Sequence, residues 1–177
     1  MRKTKYVILF FIIFLSFHRV IGQDESSNNK LKTLLIYNFT KYINWPTSYK
    51  TGNFIIAVLG DDKITPELKK MLNAKLCGDQ QIEIREYPMV EHITKCHILY
   101  IPTASSNLLP KVMNAVQGKS ILIITEKNGL INDGACINFV QTATGKIGFE
   151  LNMKETENRS LNVNNTLSNQ MASRVVN

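Results

Sequence analysis

Three short runs, Phe54–Leu59 (FIIAVL), 96–101 (CHILYI) and 120–124 (SILII), are apolar almost without interruption, and each ends at a turn signal or a polar connection. A strand that is apolar on both of its faces needs cover on both, which an antiparallel sheet with one wet face does not give and a sheet between two helical layers does. The segments between these runs supply the cover. Thr65-Pro66-Glu67 reads as a helix start running to about residue 75, with threonine as cap and proline in the first turn. Ser105 or Ser106 opens another helix, whose Leu108, Leu109, Val112, Met113 and Val116 share a face and which Gly118 ends.

The remaining strands are of other kinds. Residues 81–86 (QIEIRE) alternate as a half-buried strand, and 135–140 and 146–151 flank QTATG as an antiparallel hairpin. A last helix is expected over 166–176, with Leu167, Met171 and Val175 four apart. The fold class is therefore α/β: a three-layer sandwich with a mixed, mainly parallel central sheet flanked by helices, and a C-terminal antiparallel hairpin.

The N-terminus obeys different rules. Arg2, Lys3 and Lys5 precede an apolar stretch from Val7 to Phe17, and Val20 and Gly22 are small residues placed for a cut, so residues 1–22 read as a secretory signal peptide. The stretch is too short for a bilayer span of roughly 20 residues. The chain is then expected to be secreted and soluble after signal removal, with a disordered mature N-terminus at 23–30 (QDESSNNK) and one domain over 31–177. Four of the 21 Lys and Arg leave with the leader, so 17 basic side chains face 14 acidic ones, a net charge of +3. That surplus gives no argument for nucleic acid.

Export also bears on Cys77, Cys96 and Cys136, because an oxidising compartment permits disulfides and three thiols permit at most one intramolecular bridge. Cys77 and Cys96 each sit at the edge of a predicted element beside a turn, and are the expected pair. Cys136 leads into the alternating Ile137 and Phe139 and is expected as a buried free thiol.

The most aromatic segment is LLIYNFTKYINWP, 34–46. At 100° per residue, Leu31, Leu34, Leu35, Ile36, Phe39, Tyr42, Ile43 and Trp45 cover an arc of about 200°, and Pro46 stops the helix. Asn38 falls on that arc, and is expected as a buried amide bonded to backbone. Tyr37 and Lys41, on the polar side, remain free to meet a partner.

No residue pattern announces catalysis. His92 and His97 lie five apart without a third metal ligand, no GxSxG elbow exists, and neither a metal nor a cofactor is implied. Gly60, Asp61 and Asp62 follow a parallel strand where α/β sheets bind ligands, and with Thr103 they form the candidate small-ligand site.

Taken in order, YNFTKYINWP, FIIAVLGDD, ITKCHILYIP, SILIIT with GACINFV, and KIGFELN resemble the YfiR-like family of secreted bacterial proteins, over nearly all of the chain after the leader. The resemblance implies a non-enzymatic periplasmic regulator with an α/β fold. It implies a homodimer that holds the periplasmic part of a membrane-anchored diguanylate cyclase or sensor kinase inactive, meets the membrane only through that partner, and is stabilised by disulfides. Cys96 matches the cysteine of the family's CHxLFI-type strand, whereas Cys77 has no secure counterpart. Cys136 stands where that family carries an apolar residue.

Overall fold

Strand β2 (Phe54–Leu59) is buried at all six positions, as a continuous apolar run must be, and it sits inside an eight-stranded sheet. The computed structural model that shows this describes residues 21–177. The expected signal peptide lies outside them except for its last two positions. Among the described residues no helix is long and apolar enough to cross a membrane.

The chain opens with α1 (Ile21–Tyr42) and a two-residue strand β1 (Ile43–Asn44), then enters β2. Helix α2 (Ile64–Leu72) leads to the hairpin of β3 (Leu76–Cys77) and β4 (Gln80–Tyr87). There follow β5 (Ile98–Ile101), α3 (Leu109–Ala115), β6 (Leu122–Thr125), β7 (Ile137–Gln141) and β8 (Ile147–Asn152). Helix α4 (Met153–Asn158), β9 (Asn162–Val163), a π-helical turn at Leu167–Met171 and β10 (Arg174–Val176) complete it. The sheet order is β10-β8-β7-β6-β5-β2-β4-β3, and β1 pairs with β9 in a separate antiparallel ribbon.

Strands β4, β2, β5, β6 and β7 are mutually parallel, β8 is antiparallel to β7, and β3 is antiparallel to β4. The mixed, mainly parallel sheet and the C-terminal hairpin are those expected. The path from β2 to β4 moves one way along the sheet and that from β5 to β6 moves the other. Right-handed crossovers therefore place α2 and α3 on opposite faces. Between β2 and β5 the order reverses, and the loops leaving their carboxyl ends part to leave a crevice.

Three expectations need correcting. Helix α1 does not begin near Leu31, because the polar stretch expected to be disordered forms its first turns, held by partners the sequence does not display: Glu25 pairs with Lys63 at 2.9 Å, and Lys32 pairs with Glu126. The helix is also turned about its axis. Its buried residues are Thr33, Ile36, Phe39 and Thr40, while Leu31 is 37% and Leu34 47% exposed, so the buried face is rotated by about 100°, one residue's step, from the centre of the apolar arc. Phe39 anchors it, edge-on to Phe149 at 5.0 Å and stacked on Phe139 at 6.2 Å. Third, the C-terminal segment does not continue as a helix. Arg174, Val175 and Val176 add a parallel strand beside Glu150, Leu151 and Asn152, where β-branched residues complete a ladder that β8 would otherwise leave open.

Candidate functional site

The loops at the carboxyl ends of β2, β5 and β6 converge on one carboxylate. Glu126, the residue after β6, accepts from the Tyr100 hydroxyl at 2.6 Å, from the Thr103 backbone N–H at 3.0 Å and from Thr103 Oγ1 at 3.1 Å, and it pairs with Lys32 of α1. Burial pushes its carboxyl up, but the bonds from Lys32, Tyr100 and Thr103 outweigh burial and hold it below the ordinary glutamate range. Tyr100 is fully buried, and burial followed by the charge of Glu126 drives its phenol far above its usual value, so it stays a donor.

The residues proposed from sequence surround this centre. Gly60 holds φ +85°, and a Cβ there would lie 2.9 Å from Ser105 Oγ, which itself donates to Leu59 O at 3.2 Å; glycine is required twice over. Asp61 is exposed. Asp62 turns inward to accept from the Ile64 N–H at 2.9 Å, the first of α2; the expected cap, Thr65, lies inside the helix instead, its hydroxyl buried without a partner among the described residues. Burial raises the Asp62 carboxyl, and the neighbouring Glu126 raises it further. Two clefts, of about 480 and 570 Å³, open here and share Asn28, Lys32 and Glu126. Thr103 lines the second, so the structure brings together Asp61, Asp62 and Thr103, with Gly60 at the turn behind them.

Lys32, Tyr100 and Glu126 were not anticipated. Glu126 had a signal: it follows an apolar strand directly, as Gly60 and Pro102-Thr103 do, and parallel strands in register bring such positions to one edge. Lys32 had none, since its helix was expected to start only one residue before it.

At the opposite edge of the sheet the two most recognisable sequence segments meet. Trp45 donates its indole N–H to His97 O at 3.2 Å and stands edge-on to Phe54 at 4.9 Å. The His97 ring stacks on Phe54 with centroids 4.2 Å apart. Its Nδ1 accepts from the Ile55 N–H at 3.0 Å, which leaves the proton on Nε2 to be donated to Tyr49 O at 2.8 Å. His97 is thus a satisfied polar residue.

Of the outward residues, Lys41 is exposed with its ammonium 4.3 Å from the centre of the half-buried Tyr37 ring. Asn38, expected to be buried, is only half-buried: the rotation of α1 moves it off the core, and the polar groups that take its place are Thr33 and Thr40, the latter bonded to Tyr37 O at 2.7 Å.

The expected disulfide between Cys77 and Cys96 is not present; all three cysteines are free thiols. Cys77 lies on β3 and Cys96 just ahead of β5, three strand spacings apart in the order β3-β4-β2-β5. That separation is about 14 Å, against a disulfide limit of about 7 Å between Cα atoms. Sequence reading placed both at element edges but could not see that β4 and β2 would stand between them. Cys77 is half-buried and its thiol donates to Thr40 O at 3.4 Å. Burial pushes the Cys96 thiol up to about 12 and that of the wholly buried Cys136 to about 11, so neither is a nucleophile.

No curated protein matches the chain. Residues 29–169 match the model of the YfiR/HmsC-like family, known as periplasmic regulators of diguanylate cyclases and regulatory rather than catalytic. That match takes in both edges of the sheet just described, from Lys32 of the crevice to Glu126 and from Trp45 to His97, and the chain belongs to the YfiR/HmsC-like family.

Proposed function

We propose that this chain is a non-enzymatic periplasmic regulator that binds the periplasmic sensor part of a membrane signalling protein, a diguanylate cyclase or a sensor kinase, and holds it inactive. Family membership carries the reading. The geometry agrees with it: in the crevice where an α/β enzyme would place its chemistry, both oxygens of the central carboxylate, Glu126, are already engaged by Lys32, Tyr100 and Thr103. The unspent surface lies elsewhere. Leu31 and Leu34 stand out from α1, seven residues before Asn38 and Lys41 respectively, with Tyr37 beside them. The regulator acts as a homodimer that prefers the inactive state of its partner, and inhibition is a population shift of the size of that preference.

Affinity capture of the tagged protein from solubilised envelope membranes tests this, with Leu34→Asp as the comparison. The expected result is recovery of a membrane protein carrying a cyclase or kinase domain, lost in Leu34→Asp while the melting temperature holds. Recovery of no such protein after cross-linking refutes the proposal.

A second reading, a small-ligand-binding protein, is favoured by the two joined clefts at the point where strand order reverses. A ligand at one hundred times its Kd stabilises the fold by about 2.7 kcal/mol without any partner present. A metabolite panel read by thermal shift separates the two readings, and silence across it leaves the first alone.

A further inference from the structure

Residues 46–53 cross the amino-terminal edge of the sheet as a strap, pinned from below by residues that lead into three strands. Gln80, at the head of β4, donates to the carbonyls of Tyr49 and Gly52 at 3.0 Å each. The Tyr49 hydroxyl accepts from the Ser120 N–H, ahead of β6, at 3.2 Å. Lys95, on the approach to β5, donates to Ser48 O at 2.9 Å and lies 5.0 Å from the centre of the Tyr49 ring. The innermost pin is His97, through its Nε2–H to Tyr49 O at 2.8 Å.

His97 is the one pin whose bonding changes within the pH range that an exported protein meets. The neutral ring is an acceptor at Nδ1 and a donor at Nε2, and both roles are used, towards Ile55 N–H and Tyr49 O. An imidazolium donates at both nitrogens. Its new Nδ1–H would point at the Ile55 N–H across 3.0 Å, donor against donor.

Nothing around the ring compensates. Phe54 from β2 stacks on it at 4.2 Å, and Trp45 and Tyr49 present ring edges at 6.1 and 5.4 Å. The charge that acts on the ring is the Lys95 ammonium, which opposes a second cation. Cys96 beside it carries a thiol that burial keeps neutral. The Tyr49 phenol, raised by burial, is neutral as well, and Gln80 from β4 bears no charge.

We propose that His97 is an acid-sensitive pin: protonation sets its Nδ1–H against the Ile55 N–H and drives the ring from its seat on β2, and the displaced ring gives up Tyr49 O, releases the strap of residues 46–53 and opens the 470 Å³ cavity beside it, which is lined by Trp45, Phe54, Leu76 and Cys77. Burial holds the closed-state ring below the ordinary histidine value and Lys95 lowers it further, against the bond to Tyr49, which raises it. A ring set free titrates near about 6.5. The sign follows: the closed strap has its full advantage above that value and loses it as pH falls below, by up to about tenfold per pH unit, until the closed-state value is reached. The device requires no partner and goes beyond the regulatory reading, so it stands or falls separately.

The chain's single tryptophan, bonded to His97 O, reports on it. Hydrogen exchange of the Trp45 indole N–H and the Ile55 amide, followed by NMR in the purified protein between pH 7.5 and 5, is expected to accelerate at both sites together below about 6.5, after correction for intrinsic rates, while Ile123 in β6 stays protected. In His97→Asn, whose Oδ1 still accepts from Ile55, the acceleration is expected to vanish. Flat exchange in the wild type overturns the proposal, as does acceleration that survives His97→Asn. Should that variant not fold, Lys95→Gln decides: with the opposing cation gone, the total acid acceleration shrinks, and an unchanged or larger one refutes the pin.

Discussion

Replacing Glu126 by alanine removes the acceptor on which three elements converge, and its cost can be worked from the partners left behind. The Tyr100 hydroxyl, fully buried, loses the acceptor it holds at 2.6 Å, and an orphaned buried donor costs about 1–3 kcal/mol. The Lys32 side chain is only 15% exposed and loses its counter-charge. Breaking one side of a well-buried pair costs about 3–5 kcal/mol, and because Lys32 retains some access to water we place the whole substitution near the lower end, about 3 kcal/mol. Thr103 is exposed and adds little. For a domain of this size that predicts a fall in melting temperature of about 6–12 °C.

The pattern of companion variants identifies the cause. Tyr100→Phe takes away the donor together with its need for a partner, and costs about 1 kcal/mol. Lys32→Met in the Glu126→Ala background should cost less than it does alone, because the two residues share one interaction. Urea unfolding at pH 7 measures all four species. The acid limb gives an independent check. The Glu126 carboxyl is depressed in the folded state, so its contribution is present above the unfolded value of about 4.3 and is lost as pH falls through the lower folded one. Glu126→Gln should flatten that limb. A Glu126→Ala protein within about 0.5 kcal/mol of wild type, or additive Lys32 and Glu126 effects, refutes the reasoning.

Asn38→Leu, at a half-buried position of α1, is expected to leave stability near wild type, whereas Phe39→Ala costs about 3–5 kcal/mol; a large loss at Asn38 would restore the buried-amide expectation. Gly60→Ala meets both a left-handed backbone and Ser105 Oγ, so it should destabilise by more than 1 kcal/mol or so, and Ser105→Gly in the same chain should return only part of that. Iodoacetamide under native conditions should modify Cys77 slowly and leave Cys96 and Cys136 untouched, with no Cys77–Cys96 peptide in non-reducing mass maps. Asp62→Asn keeps an acceptor for the Ile64 N–H and removes a carboxyl raised by burial, so it should be neutral to stabilising at pH 7, and the gain should fade as pH falls through the folded Asp62 value.

What could be read from the sequence was whatever one segment determines alone. The doubly covered strands β2, β5 and β6 announced themselves because apolarity on both faces has few other uses. The β7–β8 hairpin did so through alternation around a turn. What escaped was decided between segments. The rotation of α1 followed from its packing, which buries Thr33 and Thr40 and leaves Leu31 and Leu34 outside; a helical wheel assumes that apolar residues choose the face, and here two threonines stand on the core side. Strand β10 forms because β8 offers it an open edge. The failed disulfide is of the same kind: edge positions were readable, but the number of strands between them was not.

That division also says where function should be sought. Trp45-Pro46 and Cys96-His97, the segments that make the chain recognisable, are consumed in a single contact at the amino-terminal edge of the sheet, indole to carbonyl and ring on ring. They identify the fold because they build it, and residues committed in this way cannot also select a partner. At the carboxyl edge Glu126 is committed too, to Lys32, Tyr100 and Thr103. Side chains left uncommitted by both edges include Leu31 and Leu34 on the outer face of α1, where exposed leucines cost solubility and contribute nothing to the core. An apolar stripe kept outside beside the Lys41–Tyr37 pair is a poor choice for folding and a serviceable one for docking. On the regulatory reading proposed above, specificity for one membrane sensor over another should therefore change with residues 31, 34, 37 and 41 while the aromatic contact of Trp45 and His97 stays as it is.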